Sequence, residues 1–159
     1  MRRLVRGIAV LALSGCASLG VQTEGTSGPI AWRVDDLAVV TREVNGKPVE
    51  GQAFVLVLKN TSDRTITLTR MEETRYRPQT NGSTSVYSGP WVLSPGGERR
   101  FNRYTSLVCN TPQGCTDSGA SQALFRIIFT GSDDQQHPVA ATLDITLPAA
   151  ATTRAPIVR

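Results

Sequence analysis

Apolar and polar side chains alternate along residues 139–147, and this pattern restricts the fold more than any other feature of the chain. The apolar members are Val139, Ala141, Leu143, Ile145 and Leu147, and the residues between them are Ala140, Thr142, Asp144 and Thr146. A period of two places each set on its own face of a β-strand. We therefore predict a strand with one buried and one exposed face. Ile66 and Leu68 alternate with threonines in the same way.

Two short apolar runs predict interior strands. Residues 54–58 and 124–129 are rich in β-branched and aromatic side chains and are too short for typical helices. Runs of this kind suit strands that are covered on both faces.

A further apolar segment changes phase partway along. Its members are Ile30, Trp32, Val34, Leu37 and Val39. The first three are in step with one another and the last two are not, so we predict a bulge or kink at Asp35 and Asp36.

Turn-forming residues separate these segments at residues 45–46, 60–63, 81–83, 94–97 and 131–134. Pro95 and Gly96 suit a type II turn, because proline fixes the first central φ and glycine supplies the positive φ of the second. The sequence has no convincing amphipathic helix. The spacing of strands and turns therefore predicts an all-β fold, an antiparallel β-sandwich of about seven strands.

The N-terminus has the features of a secretory signal, with three arginines in its first six residues, an apolar stretch, and small residues around Cys16. Leu13-Ser14-Gly15-Cys16 resembles the bacterial lipobox. The resemblance implies diacylation of the Cys16 thiol and cleavage before Cys16. The resemblance also implies an outer-membrane location facing the periplasm, because the residue after the cysteine, Ala17, is not aspartate. Ordinary cleavage after Ala17 is the alternative.

These features divide the chain into four parts. We expect a signal peptide over residues 1–15, a lipidated cysteine and flexible tether over 16–28, a β-sandwich domain over 29–148, and a disordered tail over 149–159.

Two short motifs carry a resemblance to a known type of domain. Residues 54–63 form an apolar strand that ends in an Asn60-Thr61-Ser62 corner, and residues 93–98 place a Pro-Gly turn before a later strand. Both resemble elements of the immunoglobulin-like and fibronectin type III-like domains of bacterial envelope proteins. The resemblance implies an immunoglobulin-like sandwich and does not imply an activity.

The net charge of the chain depends on whether the signal peptide is removed. The full sequence has 17 basic and 13 acidic residues. Loss of Arg2, Arg3 and Arg6 leaves 14 basic residues, a formal charge of +1. The basic balance therefore gives no reason to expect a nucleic-acid partner.

Cys109 and Cys115 are the other two cysteines, and five residues including a proline and a glycine separate them. In an oxidising periplasm this spacing predicts a local disulfide. A redox-active pair would favour the C-x-x-C spacing, and zinc would require further ligands nearby.

Side chains that could perform catalysis are few. His137 is the single histidine and precedes Pro138, so we interpret it as a solvated turn residue. Asp133 and Asp134, with Asp117, could bind calcium, but their spacing matches a turn better than a calcium loop. Glu72 and Glu73 are adjacent, so they should point to opposite faces of a strand, and we expect both to be solvated. We predict no catalytic residue, metal or cofactor.

Arginine and aromatic side chains are the remaining candidates for recognition. The residues that we select as a possible partner-binding surface are Arg75, Arg77, Tyr87, Trp91, Arg99 and Arg100. Arginine and aromatic residues are enriched at protein interfaces. Ordinary surface arginines and a core tryptophan would give the same composition.

The leading hypothesis is a non-enzymatic binding or scaffold module, anchored by lipid at Cys16 and contacting another envelope protein. One alternative is a small carboxylate-dependent hydrolase or cell-wall-modifying enzyme. Another is a lipoprotein that binds an apolar ligand in a cavity between the sheets.

Overall fold

The computed structural model describes residues 20–44, 46–77, 80–106 and 124–148. Eight strands account for most of this part of the chain. They are β1 Glu24–Ser27, β2 Ile30–Val44, β3 Lys47–Asn60, β4 Ile66–Arg77, β5 Thr80–Leu93, β6 Glu98–Ser106, β7 Leu124–Asp133 and β8 Pro138–Thr146. The all-β prediction is confirmed, with eight strands in place of about seven. The predicted signal peptide, Cys16 and the tail from residue 149 lie outside the described residues.

The strands form two antiparallel four-stranded sheets, with the orders β1-β2-β3-β6 and β5-β4-β7-β8. Their inner faces form one apolar core, in which the rings of Phe54 and Phe125 from opposite sheets lie 5.6 Å apart. β1 lies beside β8 on one side of the sandwich, and β5 lies beside β6 on the other.

The predicted alternation is present in β8. Val139, Ala141, Leu143 and Ile145 are buried, whereas Ala140, Thr142 and Asp144 are exposed. The apolar runs lie in β3 and β7, which are interior strands as predicted. Val57 on β3 is fully buried, but Val55 and Ile128 are only half-buried, so the outer faces of these strands are partly covered.

The predicted irregularity in β2 is confirmed. The pairing of β2 with β3 shifts between Asp35 and Ala38, and Asp36 has a φ of 53°. Beyond this bulge, Leu37 and Val39 are exposed. Among the described residues, the last part of β2 and the first part of β3 pair with each other alone, and β6 joins β3 from Gly51 onward.

Two predicted boundaries were wrong. Residues 24–27, assigned to the flexible tether, form β1, which pairs with residues 30–33 and supplies the additional strand. Just before it, the backbones of Gln22 and Thr146 exchange two hydrogen bonds of 2.9 Å. Residues 81–83, assigned to a turn, lie within β5, where Ser83 pairs with Arg75 of β4.

The predicted turn at Pro95-Gly96 is present. Gly96 has a φ of 70°, and the Gly97 amide donates to the Ser94 carbonyl at 2.8 Å. Glycine is required here because other residues rarely adopt this φ.

Asn60 joins this turn to the corner between β3 and β4. Its buried Nδ2 donates to the carbonyls of Arg64, Leu93 and Ser94 at 2.7, 3.0 and 3.2 Å. Its Oδ1 accepts hydrogen bonds from the amide and hydroxyl of Ser62. One side chain therefore satisfies backbone groups of two connections, and its partner Leu93 lies 33 residues away from it in sequence.

We name the two ends of the sandwich after Asn60 and Gln22, which hydrogen bonds hold in place. The Asn60 end holds the 60–65 corner, the 94–97 turn and the 134–137 turn. The Gln22 end holds the Gln22–Thr146 pairing, the end of β6 and the start of β7. At the Gln22 end the buried Gln52 donates from Nε2 to the Pro148 carbonyl at 3.0 Å, which attaches the segment after β8 to β3.

We predict that Asn60→Ala lowers the free energy of unfolding by about 3 kcal/mol, because it removes a buried side chain that donates three hydrogen bonds to backbone carbonyls. Urea unfolding followed by circular dichroism measures this change. Asn102→Ala, at an exposed position on β6, is the matched control and should change stability by less than about 0.5 kcal/mol. Equal losses in the two variants would contradict the role assigned to Asn60.

Candidate functional site

Edge strands β5 and β6 lie beside each other along one side of the sandwich, which we call the seam. β5 pairs only with β4, and β6 pairs only with β3, in the described part of the chain. The Trp91 and Phe101 rings meet across the seam at 5.5 Å with their planes at 79°. Nearer the Gln22 end, the Arg103 guanidinium lies 4.6 Å from the centre of the Tyr87 ring. An edge-to-face aromatic pair and a cation–π contact thus connect the sheets along this side.

A buried carboxylate lies beneath the seam. The Glu73 side chain is 1% exposed, and its two oxygens accept hydrogen bonds from Nε of Arg75 and Nε of Arg103, each at 2.7 Å. Arg103 makes a second bond to Glu73 through Nη2. Because Arg103 belongs to β6 and Glu73 to β4, this ion pair crosses from one sheet to the other.

A bulge in β4 turns Glu73 inward. The register of β4 shifts between Leu68 and Arg70 against both of its neighbours. Ile66 and Leu68 face the core before the shift, and Met71 and Glu73 face it afterwards.

Glycines on both neighbouring strands accommodate this bulge. A Cβ atom at Gly89 on β5 would lie 2.4 Å from the Leu68 carbonyl, and one at Gly131 on β7 would lie 2.0 Å from the Thr67 carbonyl. Side chains at these positions would prevent the strands from approaching the bulge.

The prediction that Glu72 and Glu73 are both solvated was wrong for Glu73. The two side chains do point to opposite faces, and Glu72 pairs on the outer face with Arg70 at 2.7 Å. Simple alternation from Ile66 would have placed Glu72 inside, and the bulge reverses that order. Isolated glycines within strand patterns were the available sequence signal for such a bulge.

Four of the six predicted recognition residues lie along the seam. Tyr87 and Trp91 are half-buried on β5, Arg75 is 28% exposed beside Glu73, and Arg99 is exposed on β6. Arg103, which was not selected from the sequence, contacts both Glu73 and Tyr87 and lies at the centre of this group.

The other two selected residues are not placed in the seam. Arg100 follows Arg99 on the same strand and therefore points to the outer face. There it contacts Asp35 at 3.4 Å and Asp36 at 3.2 Å. Arg77 ends β4, and its side chain is outside the described residues.

Arg100 is part of an ion-pair network on the outer face of its sheet. Arg33 on β2 donates to both oxygens of Glu98 on β6 at 2.9 and 3.1 Å, and it also pairs with Asp35. Hydrogen bonding to Arg33 lowers the pKa of Glu98. Because this bond spans β3, it covers the region around Val57, which explains why a valine on the outer face is fully buried.

Asp133 organises the turn between β7 and β8. Its carboxylate accepts hydrogen bonds from Nη1 of Arg64 at 2.8 Å and from the amides of Gln135 and His137 at 2.9 and 2.8 Å. Nδ1 of His137 lies 3.0 Å from the same carboxylate. Burial opposes ionisation, but the bonds from Arg64, His137 and Gln135 outweigh it and hold the pKa of Asp133 well below its usual range. This arrangement fits the turn interpretation of Asp133 and Asp134.

Other predicted features lie outside the described residues, namely the Cys109–Cys115 disulfide, Cys16 and Asp117. Across residues 20–44, 46–77, 80–106 and 124–148, no group of three or more His, Cys, Asp or Glu side chains is placed to hold a metal ion. The same stretches contain no helix long and apolar enough to cross a bilayer.

An open groove of about 460 Å³ lies at the surface where β1 meets β2. Residues 24–26, residues 31–33 and Lys59 line it. Gly25 leaves room for the Trp32 ring, since a Cβ atom there would lie 2.9 Å from the indole. This groove differs in position from the cavity between the sheets that an apolar-ligand carrier would require.

Comparisons with known proteins define the fold and no more. No family model matches the chain, and no curated protein matches it. A Northeast Structural Genomics Consortium target, SoR45, has a similar structure, with a TM-score of 0.59 and 10% identity over 81% of this chain and 93% of that one. A solution structure named as a late embryogenesis abundant (LEA) protein aligns with a TM-score of 0.44 and 17% identity over 77% of this chain and 74% of that one. The first likeness concerns fold alone, and the second is too weak to support an argument.

We predict that Glu73→Gln lowers the free energy of unfolding by about 3 kcal/mol, because a buried arginine loses its charged partner. Glu72→Gln is the matched control on the opposite face, and it should cost less than about 1 kcal/mol because its ion pair is exposed. Chemical unfolding of both variants measures the difference. Equal stability changes would show that the contacts of Glu73 with Arg75 and Arg103 do not hold the sheets together.

We predict that Asp133→Asn destabilises the protein at neutral pH and that this difference from wild type shrinks below about pH 4. The folded-state pKa of Asp133 is depressed, so its carboxylate stabilises the fold above the unfolded pKa, and this contribution is lost as the pH falls. Thermal unfolding across pH 2 to 8 provides the measurement, with Asp63→Asn, at an exposed position, as control. A pH-independent difference would contradict this mechanism.

Proposed function

We propose that this chain is a lipid-anchored, non-enzymatic binding module of the bacterial outer membrane, facing the periplasm, and that it binds another envelope protein along the seam. The observation that carries the proposal is the placement of two edge strands on one open side, with arginine and aromatic side chains between them. Cys16 supplies the anchor.

An edge strand offers backbone donors and acceptors that an extended segment of a partner can pair with. β5 has 14 residues and β6 has nine, which is enough for several such pairs. The opposite side is less accessible, because β1 lies beside β8 and the Ser27 hydroxyl accepts a hydrogen bond from the Thr142 amide.

The side chains of the seam suit protein recognition. Trp91 and Tyr87 are held by Phe101 and Arg103, so they are ordered before a partner arrives and lose little entropy on binding. Arg99 is exposed at the same edge and can pair with a carboxylate of the partner.

The lipobox resemblance and the proposed domain type agree with an envelope location. We assign the fold to immunoglobulin-like sandwiches on the two motifs that resemble them, which Asn60 connects through its hydrogen bonds. The predicted Cys109–Cys115 disulfide belongs to the same proposal, since disulfides form in the periplasm.

The acidic pair weighs against the hydrolase alternative. Glu72 and Glu73 diverge to opposite faces, and both oxygens of Glu73 accept bonds from arginines. A pair of catalytic carboxylates would have to converge on one cleft.

Site-specific photo-crosslinking in the native envelope tests the proposed surface. A photoreactive residue at Arg99 should give a defined covalent adduct with one envelope protein. The matched control is a photoreactive residue at Thr142, an exposed position on β8. The same adduct at both positions, or none at Arg99, would refute the seam as the binding surface.

The anchor has its own test. Cys16→Ala should move the protein from the membrane fraction to the soluble periplasmic fraction, because no lipid can then be attached. Unchanged membrane association would show that Cys16 does not anchor the chain.

A further inference from the structure

We infer that the Gln22 end of the sandwich rests against the lipid surface, and that the exposed side chains of Leu37, Val39 and Tyr76 belong to the half of the sandwich that faces it. This inference rests on the proposed lipid anchor at Cys16. It adds an orientation and a second contact surface, which is distinct from the seam.

The chain between the proposed anchor and the fold is short. Gln22 is fixed to Thr146 by two backbone hydrogen bonds, and Cys16 precedes it by six residues. Six residues span at most roughly 21 Å when fully extended. The lipid attachment point therefore lies within that distance of the Gln22 end.

The sandwich is longer than this tether. β8 runs nine residues from Pro138 at the Asn60 end to Thr146 at the Gln22 end. At about 3.4 Å per residue, the strand is roughly 27 Å long. The tether cannot reach along the full length of the domain, so the Asn60 end cannot turn toward the point where the lipid enters the membrane.

Exposed apolar side chains are more frequent toward the Gln22 end. Within the described part of the chain, the large hydrophobic residues that are exposed are Val21, Leu37, Val39, Tyr76, Val86 and Val92. The first four lie in the half of the sandwich toward the Gln22 end, as the pairings of Val39 with Gln52 and of Tyr76 with Leu124 show. Val92 lies at the Asn60 end, next to the 94–97 turn.

These side chains suit shallow contact with a bilayer. Aliphatic groups and tyrosine favour the boundary between headgroups and acyl chains, and arginine favours the headgroup layer. Arg42 on the same hairpin lies 4.2 Å from the centre of the Tyr104 ring, so this half of the sandwich also carries a cation. The tether delivers this end to a lipid surface, so lipid is the occupant to which we commit.

Photo-crosslinking to lipid tests the orientation. The full lipidated protein is reconstituted in vesicles of phosphatidylethanolamine and phosphatidylglycerol, with a photoreactive residue at either Val39 or Val92. These valines are matched, being 47% and 52% exposed. We expect at least about fivefold more lipid adduct from Val39, because only that end should reach the headgroups. Each variant is first shown to unfold at the wild-type midpoint.

The outcomes separate the orientation from the anchor. Equal lipid adducts at the two positions, in protein that floats with the vesicles, would overturn the orientation and leave the anchor intact. A protein adduct in place of lipid at Val39 in the native envelope would also overturn it. Failure of the wild-type protein to carry lipid would refute the anchor, and the orientation with it.

Discussion

The hydrogen bonds of Asn60 fix the relation between the two sheets. Its amide binds carbonyls of the corner that leads from β3 into β4 and of the turn that leads from β5 into β6. Each of these connections passes from one sheet to the other, so a single buried side chain sets the point at which both crossings occur. The position of the seam depends on this point, because the 94–97 turn joins the end of β5 to the start of β6.

The strands were predictable from the sequence because burial on one face imposes a period of two. β8 follows that period along its length, and the phase change in β2 marked the bulge at Asp35 and Asp36. The boundary of β1 was not predictable in this way. Its residues 24–27 are small and polar, and they form a strand because β2 offers them backbone partners, while the preceding Gln22 is held to Thr146 of β8.

The site was predictable in its composition but not in its geometry. Arginine and aromatic residues indicated a recognition surface, and Arg75, Tyr87, Trp91 and Arg99 do lie along one side. The pairing of the strands determines which arginine lies at the centre of the seam. The sequence does not reveal that Arg103 faces Glu73 across the sandwich.

The bulge in β4, which depends on contacts with distant strands, also determines which way the Glu73 side chain points. The bulge between Leu68 and Arg70 depends on close approach by Gly89 and Gly131, which belong to strands far apart in sequence. Periodicity within β4 alone would place the wrong glutamate inside. A long-range backbone contact therefore determines which carboxylate the two arginines bind.

The proposed lipid tether would affect the seam through the direction of the strands. If the Gln22 end rests against lipid, as we infer, the strands and the seam would run away from the membrane. A partner segment that paired with β5 or β6 would then lie along the same direction and could extend from the membrane surface into the periplasm. A domain lying flat could turn the seam toward the lipid and block it. The short segment between Cys16 and Gln22 would thus keep the seam accessible to a partner.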